Sequence, residues 1–225
     1  MAAYFTKDFI QFFIDLSRNN HKDWFDENRK RYEQNVKTPF LTFTQDFIAE
    51  AKKLDKGLDM DAKKAIFRIN KDIRFSKDKS PYKLHVAAIV NGTFTKDFGN
   101  PKGLYYQFSA EGVWTGGGLY QPEKSAIEQV RMAMAKKPKE INTLLSDKNF
   151  KKLFGGTFLG EQSKIIPKEL KEVAEIQPLI YNKQFYFAAE YEDPKVLLKP
   201  DLMKFMLNHL EASLPMMKWL EKTIK

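Results

Sequence analysis

Residues 68–83 read RINKDIRFSKDKSPYK, and six of these sixteen side chains are cations: Arg68, Lys71, Arg74, Lys77, Lys79 and Lys83. Asp72 and Asp78 alone oppose them. The chemistry such a stretch can do is to hold an anion. Along an extended backbone, side chains alternate between two faces. Arg68, Asn70, Asp72 and Arg74 then share one face, and Ile69, Lys71, Ile73 and Phe75 share the other, with Ile73 and Phe75 as core anchors. Arginine offers a planar fork that grips phosphate or carboxylate through two N–H groups. Asp72, between two forks, can orient them or act as a base. Lys79, Tyr82 and Lys83 can close over a ligand, with Pro81 stiffening the approach. We therefore expect an anion-binding set of Arg68, Asp72, Arg74, Lys79, Tyr82 and Lys83, and a phosphorylated small molecule as its ligand. One alternative is nucleic acid on the same basic segment, with Tyr105, Tyr106 and Trp114 as stacking surfaces. The other is a structural or interaction protein, in which an Arg68–Asp72–Arg74 network only fixes the sheet.

Other residue patterns carry less chemistry. There is no cysteine, so disulfides, thiolate catalysis and cysteine-based metal centres are excluded. His21, His85 and His209 are scattered and match no zinc motif, so no metal is expected. Ser76-Lys77-Asp78-Lys79 has the S-x-x-K spacing of serine acyl enzymes without their partner motifs. Thr115-Gly116-Gly117-Gly118 lacks the phosphate-loop pattern; glycines there favour a bulge or the close crossing of another backbone. Neither a catalytic residue nor a cofactor is assigned, and enzymatic activity stays an open question.

Helices and a sheet must position the basic stretch. Phe9, Phe12, Phe13 and Leu16 fall on one helical face, with Thr6 as its cap. Asn20 is placed to cap a second helix burying Phe25, Tyr32 and Val36. Thr38-Pro39 reads as a helix start, and Phe40, Phe43, Phe47, Ala51 and Leu54 keep helical spacing from there. Near residue 65 the pattern turns to strands: 65–69, then 86–90 before the Asn91-Gly92 turn. A hairpin about Glu111-Gly112 follows within 104–121. Helices are expected from Pro122, from Pro138 and from Pro200, with Pro215 beginning a last turn or two. A strand is expected over 184–191, and loops with short elements over 147–183. Helices, an antiparallel sheet, then helices again define an α+β fold: N-terminal helices packed on a mostly antiparallel sheet, with further helices in the C-terminal half.

The 225 residues suit one domain, with a possible sub-division near 135–150. Net charge is +9, and residues 61–110 hold ten Lys/Arg against four Asp/Glu, so most of the excess surrounds the basic stretch. An excess of this kind attracts anions within a Debye length, roughly 8–10 Å. The longest run free of charged residues, Leu84 to Thr95, is too short to cross a bilayer. The N-terminus lacks the basic start of a signal peptide. The expectation is a cytoplasmic protein with no membrane partner.

The stretch Arg68, Lys71, Asp72, Arg74, Phe75, Ser76, Lys77, Asp78, Lys79, Ser80, Pro81, Tyr82, Lys83 resembles the signature of the domain of unknown function numbered 2461. NNHKDWFDENRKRYE (19–33) and GGGLYQP (116–122), followed by a helix with Ile127 and Arg131, extend the resemblance. It brings no catalytic residue, substrate or cofactor with it. His85 stands where similar sequences carry Thr or Asn, which counts against a shared role for it.

Overall fold

The computed structural model describes residues 3–74, 76–92, 99 and 101–224; Phe75, expected to be an anchor, lies outside the described residues. The chain forms two compact units. The first contains Met1–Thr95, Tyr105–Thr115 and Glu190–Asn208; the second contains Lys96–Leu104, Gly116–Ala189 and His209–Lys225. Strands β1 (His85–Val90), β2 (Leu104–Ser109), β3 (Val113–Leu119) and β4 (Phe185–Tyr191) form a four-stranded antiparallel sheet in the order β1-β2-β3-β4. With helices before and after it, the fold is α+β.

In the first unit, α1 (Lys7–Arg18) buries Phe9, Phe12, Phe13 and Leu16, the face set by their spacing. Thr6 stands at its start without making a side-chain cap bond. Helix α2 (Lys22–Glu27) is capped by His21, whose Nδ1 accepts the Trp24 N–H at 3.4 Å. Asn20 is not that cap, because its amide is committed elsewhere. Helix α3 (Arg29–Tyr32) passes through a π-helical turn, Glu33–Lys37, straight into α4 (Thr38–Leu54). No new helix starts at Thr38, which is already helical at φ −63°, ψ −50°. Pro39 has no N–H to donate to the preceding turn, and the widened turn just before it accommodates the loss.

Arg31 locks α3 to α1. Its guanidinium donates to both oxygens of Asp8 and, at 2.8 Å, to Asp15, and it lies 5.7 Å from the Phe12 ring centre. The two carboxylates raise the Arg31 pKa further, while the Arg31 guanidinium holds Asp15 below the ordinary carboxylate value.

Helix α4 covers the sheet through aromatic edges. Phe43 meets Phe108 at 5.2 Å and Phe47 meets Tyr106 at 5.3 Å, both edge-on. Such pairs add about 0.5–1.5 kcal/mol each beyond burial. Tyr106 is fully buried, and its hydroxyl donates to Thr44 Oγ1 at 3.0 Å. Tyr106 is therefore a core residue and offers no stacking surface. After α4, a short helix α5 (Ala62–Ala65) precedes the basic stretch. The strand expected over 65–69 is reduced to isolated bridges, Ile66 with Ala88 and Asn70 with Tyr82.

The second unit holds α6 (Lys124–Lys136), α7 (Pro138–Ser146), α8 (Lys148–Phe154) and α9 (Lys171–Ile176), with short 3-10 turns between 168 and 181. Phe150 and Phe154 pack edge-on against Phe187. Helix α10 (Leu202–Thr223) starts in the first unit and ends in the second; it runs unbroken through Pro215, where a new turn was expected. Arg131 of α6 is 8% exposed and donates to Asn182 O at 3.0 Å; burial lowers its pKa. It ties α6 to the 178–182 turn. No helix among the described residues is long and apolar enough to cross a membrane.

Candidate anion-binding site

Between α5 and β1 the chain runs out and back. Phe67 N–H donates to Ala87 O, Lys71 N–H to Pro81 O, and Lys83 N–H to Ile69 O. Five residues on the outgoing arm, from Ile66 to Asn70, face seven on the return, from Tyr82 to Ala88. The surplus bulges at Leu84, which is exposed. On the outgoing arm, Arg68, Asn70, Asp72 and Arg74 are exposed, whereas Ile69, Lys71 and Ile73 are half-buried. The alternation expected of extended backbone is thus present without a continuous ladder.

Two carboxylates organise the loop. Asp72 accepts Arg74 Nε at 2.9 Å and Nη2 at 2.6 Å, a two-pronged pair at the surface. These hydrogen bonds, with that from the Arg74 backbone N–H, bring the Asp72 pKa down to about 2. Asp78 accepts Lys71 Nζ at 2.7 Å, Ser80 N–H at 2.9 Å and Ser80 Oγ–H at 2.8 Å, and sits far below the usual carboxylate range. Both carboxylates are therefore ionised at neutral pH and engaged by donors of the loop itself.

The lysines divide by role. Lys79 Nζ donates to Ile73 O at 3.0 Å, closing the loop, and not to Ser76 as an acyl-enzyme pairing requires. Lys83 Nζ donates to Arg68 O at 3.1 Å and lies 5.5 Å from the Phe67 ring centre. Tyr82 is buried, stacked on Phe25 at 4.0 Å with 17° between the rings. Arg68 makes no ion pair among the described residues; its charge acts on Asp72 through space. The structure therefore brings Arg68, Asp72 and Arg74 to one open face. It places Lys79, Tyr82 and Lys83 in contacts that hold the loop.

Sequence reasoning missed two contributors. The Asn20 side chain pairs with the Tyr82 backbone in both directions: Nδ2–H donates to Tyr82 O at 2.9 Å, and Oδ1 accepts Tyr82 N–H at 3.1 Å. One amide thus does for the return arm what a neighbouring strand would do. The signal was the Asn19-Asn20 pair, where one cap would suffice. The second is Phe67, whose half-buried ring begins a row: Tyr105 is 5.9 Å away, and Trp114 lies 5.4 Å beyond that. The row ends at a hollow of about 320 Å³ lined by Trp114, Tyr191, Glu111, Glu190 and Glu192. Those carboxylates repel a polyanion laid along the rings.

His85 opens β1. Burial first, then Lys83 and Lys71, lower its pKa to about 4. The folded protein holds the imidazole neutral, whereas an unfolded chain protonates it below about 6.5. The stabilisation is full above that value and is lost as pH falls toward 4. Allowing for its partial exposure, the loss reaches about 2 kcal/mol. Urea unfolding between pH 7 and 4.5 is expected to show a slope that is flatter in His85→Gln.

The fold and this site define an α+β protein that displays a tethered basic loop beside its sheet. The particular family follows from the sequence match. The model of the conserved hypothetical protein family DUF2461 covers residues 8–219, and the chain belongs to that family. No curated protein and no solved structure matches the chain.

Proposed function

We propose that the 68–83 loop binds a phosphorylated small molecule, with Arg68 and Arg74 gripping the phosphate and Asp72 holding Arg74 in its unliganded orientation. The observation that carries this reading is the alternation of the outgoing arm, which leaves two guanidiniums exposed on one face of a tethered loop. Arg74 is 76% exposed in its side chain, and its pair with Asp72 is worth little in water. A phosphate can therefore displace Asp72 at small cost. Lys79, Tyr82 and Lys83 serve the site by fixing its backbone. The acidic hollow beyond Trp114 favours a compact ligand over a long nucleic acid.

The test is a thermal-shift screen with a panel of phosphorylated metabolites. A ligand present at about 100 times its Kd stabilises by about 2.7 kcal/mol. The expected result is a stabilising compound whose effect disappears in Arg68→Ala/Arg74→Ala. A panel that shifts nothing contradicts the proposal. Retention on heparin lost in the same variant, without any small-ligand shift, would transfer the site to nucleic acid.

A further inference from the structure

The face that carries Arg68, Asp72 and Arg74 holds a fourth side chain, Asn70, between Arg68 and Asp72. Its backbone is firmly held. Asn70 is paired antiparallel with Tyr82; beside that pair, Lys71 N–H donates to Pro81 O at 2.9 Å and Lys83 N–H to Ile69 O at 2.8 Å. Tyr82 in turn is clamped by the Asn20 amide and stacked on Phe25. Asn70 itself is exposed, and its amide makes no side-chain hydrogen bond among the described residues. A fixed backbone thus displays a side chain that can both donate and accept.

Asp72 adds a second constraint. In the free protein its carboxylate is ionised and takes the Nε–H and Nη2–H of Arg74. A phosphate that draws Arg74 away leaves that carboxylate without its donor and beside a like charge. A ligand that brings its own hydroxyl offsets this, because an O–H donated to a carboxylate makes a strong, charge-assisted bond. A nucleobase finds less here. Opposite residues of an antiparallel pair share a side, so Tyr82 lies on the side of Asn70, but its ring is 5% exposed and already stacked on Phe25. Phe67 falls on the other face by alternation.

We propose that this face takes a sugar phosphate, with Asn70 reading the hydroxyl groups next to the phosphate and Asp72 accepting from one of them. The inference rests on the phosphate reading of the loop and narrows it to a polyhydroxylated ester. Asn70 is then the residue that sets specificity, while Arg68 and Arg74 supply the attraction that any phosphate feels.

The test is calorimetric titration with three probes: ribose 5-phosphate, ethyl phosphate, which is an ester without hydroxyls, and AMP, which adds a base. Ribose 5-phosphate is expected to bind about tenfold tighter than ethyl phosphate, the scale of a net hydrogen bond or two. AMP should bind no tighter than ribose 5-phosphate. Asn70→Ala should remove most of the preference for ribose 5-phosphate and leave ethyl phosphate unchanged; Asn70→Ser, which keeps a donor and an acceptor, should restore part of it. Asp72→Ala should tighten ethyl phosphate by freeing Arg74 without tightening ribose 5-phosphate. Equal Kd for ribose 5-phosphate and ethyl phosphate, an Asn70→Ala protein that keeps the preference, or AMP binding much tighter than ribose 5-phosphate overturns this inference and leaves the phosphate reading standing. No saturable binding of any of the three overturns both.

Discussion

Tyr82→Ala is expected to destabilise the protein by about 4 kcal/mol, the usual range for truncating a buried aromatic. Tyr82 is 5% exposed, and its ring stacks on Phe25 at 4.0 Å. Its removal leaves a void between α2 and the return arm of the basic loop. Asn20 still reaches the backbone at position 82, but the side chain that pressed that backbone toward it is gone. In a chain of this length the melting temperature should fall by roughly 8–16 °C. Tyr82→Phe keeps the stack and should cost less than about 1 kcal/mol. Asn20→Ala removes two hydrogen bonds and should cost about 2 kcal/mol. Thermal unfolding of these three variants ranks the contributions. Tyr82→Ala melting like the wild type would mean that the loop is not tethered there.

The second large effect belongs to the glycine run. A Cβ on Gly116 would lie 2.3 Å from Phe187 O and 3.1 Å from Ala188 Cα. Those are backbone atoms of β4, so no side chain can rotate away. Gly116→Val must part β3 from β4 or bend one of them, at a cost of about 3 kcal/mol or more. Denaturant unfolding is expected to show a clearly lower midpoint. As a control, Gly155→Asn puts its Cβ within 4 Å of nothing. Asparagine tolerates the left-handed conformation at Gly155 (φ 77°), so that change should cost under about 1 kcal/mol. A Gly116→Val protein as stable as wild type would remove the close crossing as the reason for the run.

Much of this was legible in the sequence because it depends on periodicity. The face of α1, the hairpin about Glu111-Gly112, the helix from Pro138 and the strand over 184–191 all follow from local spacing. The same rule separated Arg68, Asp72 and Arg74 from Lys71. What was not legible depends on partners distant in the chain. Asn20 looks like a helix cap until residue 82 is beside it. Tyr106 looks like a stacking surface until α4 covers it. Lys79 and Lys83 look like ligand contacts until backbone carbonyls stand next to their ammonium groups. The prolines misled for a related reason. Pro39 and Pro215 mark helix starts by local rule, but the π turn before one and the long packed helix around the other keep the helical path continuous.

The charge pattern gained meaning in the same way. Six cations in sixteen residues suggested a single cationic surface. The fold sorts them into Lys71 bound to Asp78, Lys79 and Lys83 bound to backbone, Lys77 exposed at the tip, and Arg68 and Arg74 turned outward with Asp72. Most of the charge shapes the loop, and the two arginines remain as the chemistry it presents.

The most direct measurement of that division is an NMR titration of the arginine side-chain N–H signals with inorganic pyrophosphate. If the exposed face is the anion site, the Arg68 and Arg74 signals move together and saturate, buried Arg131 stays in place, and Asp72→Asn tightens binding by freeing the Arg74 fork. If Arg68 and Arg74 do not respond while the lysine signals drift without saturating, the loop is a structural network and the anion-site account is wrong.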